Sequence, residues 1–235
     1  MPEVQIPHDW APRPHQLPFF KAMDNGTRRA CLVWHRRAGK GSATLNYSAK
    51  ALFQQVCSVW HLFPVGVQAR RSIWNGINAD GKPILDQVFP HSIRKRTSSQ
   101  EMLIELVNGS TWQLAGSDNY NSLVGSNPVG VVFDEWSLCD PAAWSYIRPI
   151  LAENGGWAVF IYTPRGKNHG HSLYQMARKS NEWFCQNLTI LDTKRDDGSP
   201  VISSDIIDSE RLEGMDEALI QQEFFGSFEA QTAGA

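Results

Sequence analysis

The chain has none of the features that would place it in a membrane or a disulfide framework. No uninterrupted apolar run approaches the roughly 18 residues of a membrane-spanning helix, and the opening, MPEVQIPHDW, has neither the basic n-region nor the apolar h-region of a signal peptide. Cysteine is scarce. Cys31, Cys57, Cys139 and Cys185 never fall at CxxC spacing, which excludes the common zinc and dithiol motifs and leaves buried thiols as their reading. His169-x-His171 has no third ligand at metal spacing. Internal repeats and low-complexity tracts are absent. Hydrophobic residues at 42% and charged residues at 20% exclude a disordered chain, a collagen-like repeat and a coiled coil. These exclusions lead to the expectation of a soluble protein of a reducing compartment with no membrane partner.

What is present is a chain of 235 residues, enough for one large domain or two small ones. The net charge of −2 hides an asymmetry: residues 1–188 hold 19 Lys and Arg against 13 Asp and Glu, whereas residues 189–235 hold 3 against 11. The expected organisation is therefore a core over 1–188 and a small acidic subdomain over 189–235. Basic residues cluster at Arg28-Arg29, Arg36-Arg37, Arg70-Arg71, Arg94-Lys95-Arg96 and Arg178-Lys179, a pattern by which a nearly neutral protein can still meet phosphates.

Hydrophobic period predicts strand alternating with helix. Residues 28–35 form an apolar strand, 40–56 carry an amphipathic helix, Cys57–Phe63 is a second buried strand and a helix is expected around Val67–Asn78. Two alternating runs, Glu101–Val107 and Ser110–Ala115, meet at Asn108-Gly109, a signal for a type I′ hairpin. Val129–Phe133 and Trp157–Thr163 read as buried strands, with helices over Pro141 to about Glu153 and over His171–Ser180. Two short acidic helices follow, about Ser204–Glu213 and Glu217–Phe225. Alternation of this kind predicts an α/β fold with a mainly parallel sheet.

A loop that opens a helix directly after a buried strand offers free N–H donors and positive dipole potential to phosphate. Here it is Trp34-His35-Arg36-Arg37-Ala38-Gly39-Lys40-Gly41-Ser42. Against GxxxxGK[ST] it keeps Gly39 and Lys40, but has Trp34 at the first glycine and Gly41 at the Mg²⁺-binding hydroxyl, which leaves Ser42, Thr44 or a water to replace it. By itself this pair also suits an ordinary helix start. The run Val129–Phe133 delivers Asp134 and Glu135 at a strand's C-terminal end, the ligand edge of an open sheet. Two adjacent carboxylates there can divide their work: Asp134 towards Mg²⁺ and Glu135 towards an attacking water as general base. The alternative is that Asp134 merely caps the next helix. Taken together, the two elements read as a P-loop ATPase binding Mg-ATP.

At these residues the chain resembles the ATPase domain of the large terminase subunit of tailed bacteriophages, the motor that drives double-stranded DNA into procapsids. HRRAGK (His35–Lys40) is similar to that family's glycine-poor Walker A, GSDNYNSLVG (Gly116–Gly125) with VGVVFDEW to its Walker B approach, and IYTPRGKNHG (Ile161–Gly170) to its coupling motif. PRPHQLPFF (Pro12–Phe20) resembles its adenine-binding segment, and QQEFFGSFEA (Gln221–Ala230) the segment that closes its ATPase part. The resemblance implies a RecA-like P-loop domain with a C-terminal lid at about 189–235. It implies Lys40, Glu135, Thr163, Arg36 and Arg37 as catalytic residues, with an arginine of the loop sensing the γ-phosphate in cis. Gln16, Ala38, Gly39, Lys40, Gly41, Ser42 and Asp134 would bind nucleotide, with Asp134 and Ser42 on Mg²⁺. Its partners would be double-stranded DNA, a capsid portal protein, a small terminase subunit and further copies in a homo-oligomeric ring, a pentamer, in the host cytoplasm. The family's nuclease domain is not expected in these 235 residues. Val124 stands where the family commonly has an arginine reaching a neighbouring subunit, so either another basic residue serves or turnover is slow. Another DNA-directed ATPase, such as a helicase or repair translocase, and a non-hydrolysing nucleotide-gated module remain alternatives at this level.

Overall fold

The structure, a computed structural model, describes residues 10–123 and 127–229. The chain's first nine residues, Val124, Gly125 and Ala230 therefore lie outside the described residues, and with them the expectations placed on the opening segment and on Val124. The described chain is an α/β fold with eight strands in mainly parallel pairing. Its strands are β1 (Arg29–Trp34), β2 (Ser58–Phe63), β3 (Arg94–Ser98), β4 (Leu103–Leu106), β5 (Thr111–Gly116), β6 (Gly130–Asp134), β7 (Trp157–Tyr162) and β8 (Trp183–Leu188). Its helices are α1 (Leu17–Asp24), α2 (Lys40–Gln54), α3 (Gly66–Ala69), α4 (Ile84–Val88), α5 (Pro141–Asn154), α6 (His169–Ala177), α7 (Ser204–Leu212) and α8 (Glu217–Phe225).

Contacts divide the chain into two units. The first takes in Thr44–Asp134 and Cys139–Ala158; the second takes in Pro12–Ala43, Glu135–Leu138 and the chain from Val159 onward. In the first, the strand order is β3-β4-β5-β2-β6, with β2 parallel to both β5 and β6. β2 and β6 are buried along nearly their whole length, as strands covered on both faces are, whereas β4 and β5 alternate between buried and half-buried residues. Charged β3 closes the edge with Lys95 paired to Glu105 and Arg96 to Glu101, a device that discourages further strand pairing.

Local chemistry corrects two expectations here. The hairpin lies where Asn108-Gly109 placed it, but only Gly109 has positive φ (90°), while Leu106 O accepts from Gly109 N and Leu106 N donates to Ser110 O. That is a three-residue loop with glycine in the left-handed bulge position, not a type I′ turn. The helix expected over 67–78 is instead α3 followed by a π-helical turn, Arg70–Trp74, in which Asn75 N reaches back five residues to Arg70 O.

In the second unit the order is β7-β1-β8, with β1 and β8 parallel from Arg29↔Trp183 to Trp34↔Leu188. β1 and β7 are continuous apolar runs, buried throughout apart from Arg29. Residues of the acidic C-terminal stretch form their own apolar cluster, Ile190, Val201, Ile202, Ile207, Ile220 and Phe224. No described helix is long and apolar enough to cross a membrane.

Candidate nucleotide site

β1 ends at Trp34, and the loop that follows is shaped residue by residue. His35 N donates to Leu188 O and Arg36 N to Glu223 O; Ala38 N then turns back to His35 O. Arg37 (φ 70°) and Gly39 (φ 83°) take the left-handed conformations that bring the chain round into α2 at Lys40. Arg37 accepts the conformation at a steric disadvantage, and such outliers gather at functional sites. Gly39 is constrained twice, since a Cβ there would also lie 2.6 Å from Gln16 Nε2.

Lys40 is buried at the head of α2. Its Nζ donates to Trp34 O (2.8 Å), His35 O (3.2 Å) and Thr163 Oγ1 (3.2 Å). The second unit thus brings Lys40, Thr163 and the loop together. Gln16 and Ala38 are buried there as well. Gln16 Nε2 donates to Ala38 O (3.3 Å) and Gly39 O (3.1 Å), while its Oε1 accepts from Arg13 N (2.9 Å). In this arrangement the Gln16 amide braces the loop. His15 Nε2 adds a donor to Ala38 O at 2.9 Å. Ser42 is exposed on the first turn of α2, Gly41 half-buried, and Thr44 fully buried.

His35 links the loop to the acidic stretch. Its Nδ1 lies 2.6 Å from Arg36 O and its Nε2 2.7 Å from Thr193 Oγ1; because a carbonyl only accepts, Nδ1 carries the proton and Nε2 accepts from the threonine hydroxyl. Burial holds the imidazole pKa down to about 4 from its ordinary 6.5. The unfolded chain therefore binds this proton first. The stability that His35 contributes is complete above about pH 6.5 and is lost as pH falls from there towards about 4, an amount on the order of 3 kcal/mol. Urea unfolding between about pH 7 and about pH 4.5 should show that loss, and His35→Asn should flatten it. Equal slopes in the two proteins would disprove the assignment.

Glu135 has φ 53°, a left-handed conformation unusual for a side chain of its size. The residues immediately after it are fastened to the loop that follows β7. Ser137 Oγ donates to Thr163 O (3.0 Å), Asn168 Nδ2 to Ser137 O (2.8 Å) and His169 Nε2 to Trp136 O (2.7 Å). Both segments belong to the second unit, so the backbone carrying Glu135 and the backbone carrying Thr163 and Arg165 are one hydrogen-bonded piece.

In the first unit, Asp134 closes β6 and accepts from His61 Nε2 of β2 at 3.2 Å. Both are buried, and the His61 ring stacks on Phe63. Beyond the short turn Trp136–Leu138, Asp140 caps α5, its Oδ1 accepting from Ala142 N. Neither His61 nor Glu223 stands out in a motif search. The one signal for His61 is a polar residue interrupting an apolar run, VWHLF, and Glu223, between Gln222 and Phe224, has no such signal of its own.

Several basic clusters are already matched by carboxylates: Arg94 with Asp86, Lys95 with Glu105, Arg96 with Glu101, Arg165 with Glu223 and Lys167 with Glu229. Arg37, Arg70 and Arg71 carry no carboxylate partner among the described residues.

No protein-family profile matches the chain. A stretch of 83 residues, 34% of the chain, is 34% identical to the large terminase subunit of Escherichia phage T5, and spans 19% of that relative's length. Among solved structures, the large terminase ATPase domain of Thermus phage P74-26 superposes with a TM-score of 0.69 at 17% identity, covering 93% of this chain and 94% of that one. A point mutant of the same domain gives 0.72 at 19% identity, over 93% and 95% of the two chains. The large terminase of a thermophilic bacteriophage, in complex with ADP, gives 0.72 at 14% identity, over 92% of this chain and 53% of that one. The fold of this chain is that of large terminase ATPase domains.

Proposed function

We propose that this chain is the ATP-hydrolysing motor domain of a phage large terminase subunit and that it moves double-stranded DNA into a procapsid. The observation that carries the reading is Lys40: a buried ammonium at the head of α2, held by two carbonyls of the β1–α2 loop and by Thr163 beyond β7. An ammonium tied to both segments sits where phosphate oxygens can replace carbonyl oxygens as its partners, and the helix N-terminus adds its dipole. The similarity to the T5 subunit and the fold likeness support the same assignment.

In this reading Lys40 follows the β- and γ-phosphates, and Arg36 and Arg37 supply further positive charge from the same loop. Glu135 takes the proton of the attacking water. Thr163 couples the phosphate site to the segment running to His169 through its bonds to Lys40 and Ser137. Gln16 is assigned to the loop it braces, because an adenine contact would have to compete for an amide already donated to Ala38 and Gly39. Ala38, Gly39 and Gly41 contribute backbone to the phosphate loop. Asp134, oriented by His61, and the exposed hydroxyl of Ser42 are the oxygen donors suited to Mg²⁺, which neutralises phosphate charge when bound. The partners that follow are double-stranded DNA, a portal protein, a small terminase subunit and further copies in a ring, a pentamer, in the host cytoplasm. Residues 189–235 act as the lid.

Single-turnover ATP hydrolysis with and without linear duplex DNA tests the reading. Hydrolysis that rises with duplex supports it. Stimulation by single strands alone would point to a helicase, and binding without hydrolysis to an assembly module.

A further inference from the structure

The four cysteines are widely spaced in the chain, but the fold brings two of them together. Cys31 of β1 and Cys185 of β8 are direct partners in the parallel register. Paired residues of neighbouring strands lie about 4.8 Å apart and point to the same face, inside the roughly 4.4–6.8 Å between Cα atoms that a disulfide spans. The two thiols already share a hydrogen bond. Neither is in a disulfide, and they differ in access: Cys31 is fully buried, whereas Cys185 is half-buried.

Their surroundings divide the work between them. The Tyr162 hydroxyl lies 3.5 Å from Cys31 Sγ and gives its only proton to Gly170 O at 2.6 Å. The Cys31 S–H therefore has two acceptors, the Tyr162 oxygen and the Cys185 sulfur. Burial holds the Cys31 thiol well above its ordinary range, so it stays a proton donor. Cys185 is held below the ordinary thiol value by the bond from Cys31, and Arg178, just past α6, adds its charge. Cys57 is the contrast. It is half-buried as well, yet burial alone acts on it and pushes its thiol up to about 11. Buried Cys139 donates to Asp134 O at 3.3 Å.

From this pairing we infer that Cys185 and Cys31 form a peroxide-oxidisable dithiol, with Cys185 as the attacking thiol and Cys31 as the resolving one. The Cys185 thiolate attacks one oxygen of hydrogen peroxide; an S–O bond forms, the O–O bond breaks, and the departing hydroxide takes up the proton that Cys185 shed, giving water. Cys31 then attacks the sulfenic sulfur. The S–S bond forms, the S–O bond breaks, and hydroxide leaves with the Cys31 proton as a second water. Two thiols have lost two electrons and two protons, and peroxide has become two waters. In a reducing compartment such a pair stays as thiols until an oxidant arrives. The new bond would lie at the base of the loop after β1, because Cys31 stands three residues before Trp34 and Cys185 three before Leu188, whose carbonyl accepts from His35 N.

The test treats the whole chain near neutral pH with a small excess of hydrogen peroxide, blocks remaining thiols with N-ethylmaleimide and maps the peptides by mass spectrometry without reduction. Wild type should lose two of its four thiols, yield a linked peptide pair containing Cys31 and Cys185, and recover both thiols with dithiothreitol. Cys31→Ala should stop at a Cys185 sulfenic acid that dimedone captures, and Cys185→Ala should leave Cys31 unoxidised. Before any oxidant is added, iodoacetamide should label Cys185 about tenfold or more faster than Cys57. Equal labelling rates, a bridge to Cys57 or Cys139, a bridge between two chains, Cys31 oxidised in Cys185→Ala, or four thiols untouched by peroxide would each overturn the inference. The wild-type map decides even where a variant does not fold, since it needs no substitution.

Discussion

Lys40→Ala is expected to lower ATP turnover by about 10²- to 10³-fold, the range seen when a single preorganised charge donor is removed from a transition state. Lys40 links Trp34 O, His35 O and Thr163 Oγ1, so the mutation removes both the cation proposed for phosphate and a tie between the two loops. Three buried acceptors would lose a donor, and stability should fall by about 1–3 kcal/mol with it. Both effects can be read on one preparation, by single-turnover hydrolysis and by urea unfolding. Lys40→Arg separates them, since a guanidinium keeps the charge but cannot occupy the same compact position. Full activity in the alanine variant would remove the P-loop assignment.

Glu135→Gln is expected to leave Mg-ATP affinity within about twofold and to lower turnover by about 10²- to 10⁴-fold, because an amide still binds water but cannot take its proton. Asp134→Asn should behave differently. It leaves the His61 hydrogen bond an acceptor while removing a negative charge, so the loss should appear as a higher Mg²⁺ requirement. Titrating Mg²⁺ against both variants distinguishes the roles, and identical responses would show that the two carboxylates do not divide the work as assigned.

Most of the scaffold was readable because its strands are buried on both faces and so carry unbroken apolar runs: β1, β2, β6 and β7 announce themselves. β8 does not. Its residues are half-buried and include Gln186 and Asn187, and what makes it a strand is the register with β1 rather than its own pattern. β3 is likewise masked by charge that only pairing with β4 explains. The hairpin turn was misread because Asn108 spends its side chain elsewhere: Nδ2 donates to Leu52 O and Oδ1 accepts from Ser110 N. No local rule sees a partner 56 residues away. The same holds at the site. Gly39-Lys40 and Asp134-Glu135 are contiguous signals, whereas His61 meets Asp134 across 73 positions and Thr193 meets His35 across 158. Residues whose function is to orient another residue leave their trace in space, with little left in the string.

That reach across the chain has a consequence for the order in which the protein is made. The loop proposed for phosphate follows β1, the first strand described, yet β1 gains its β8 neighbour only after Leu188 has been synthesised, and the amides of His35 and Arg36 gain their carbonyls from Leu188 and Glu223. A nascent chain that has emerged only as far as α6 has Lys40 but not the surroundings that shape its loop. Closing contacts of such long range is slow, because the intervening chain must be ordered before they form. Competence to hold a nucleotide should therefore arise only after β8 and α8 have been made, and a ribosome-stalled chain ending before β8 should be unable to retain one.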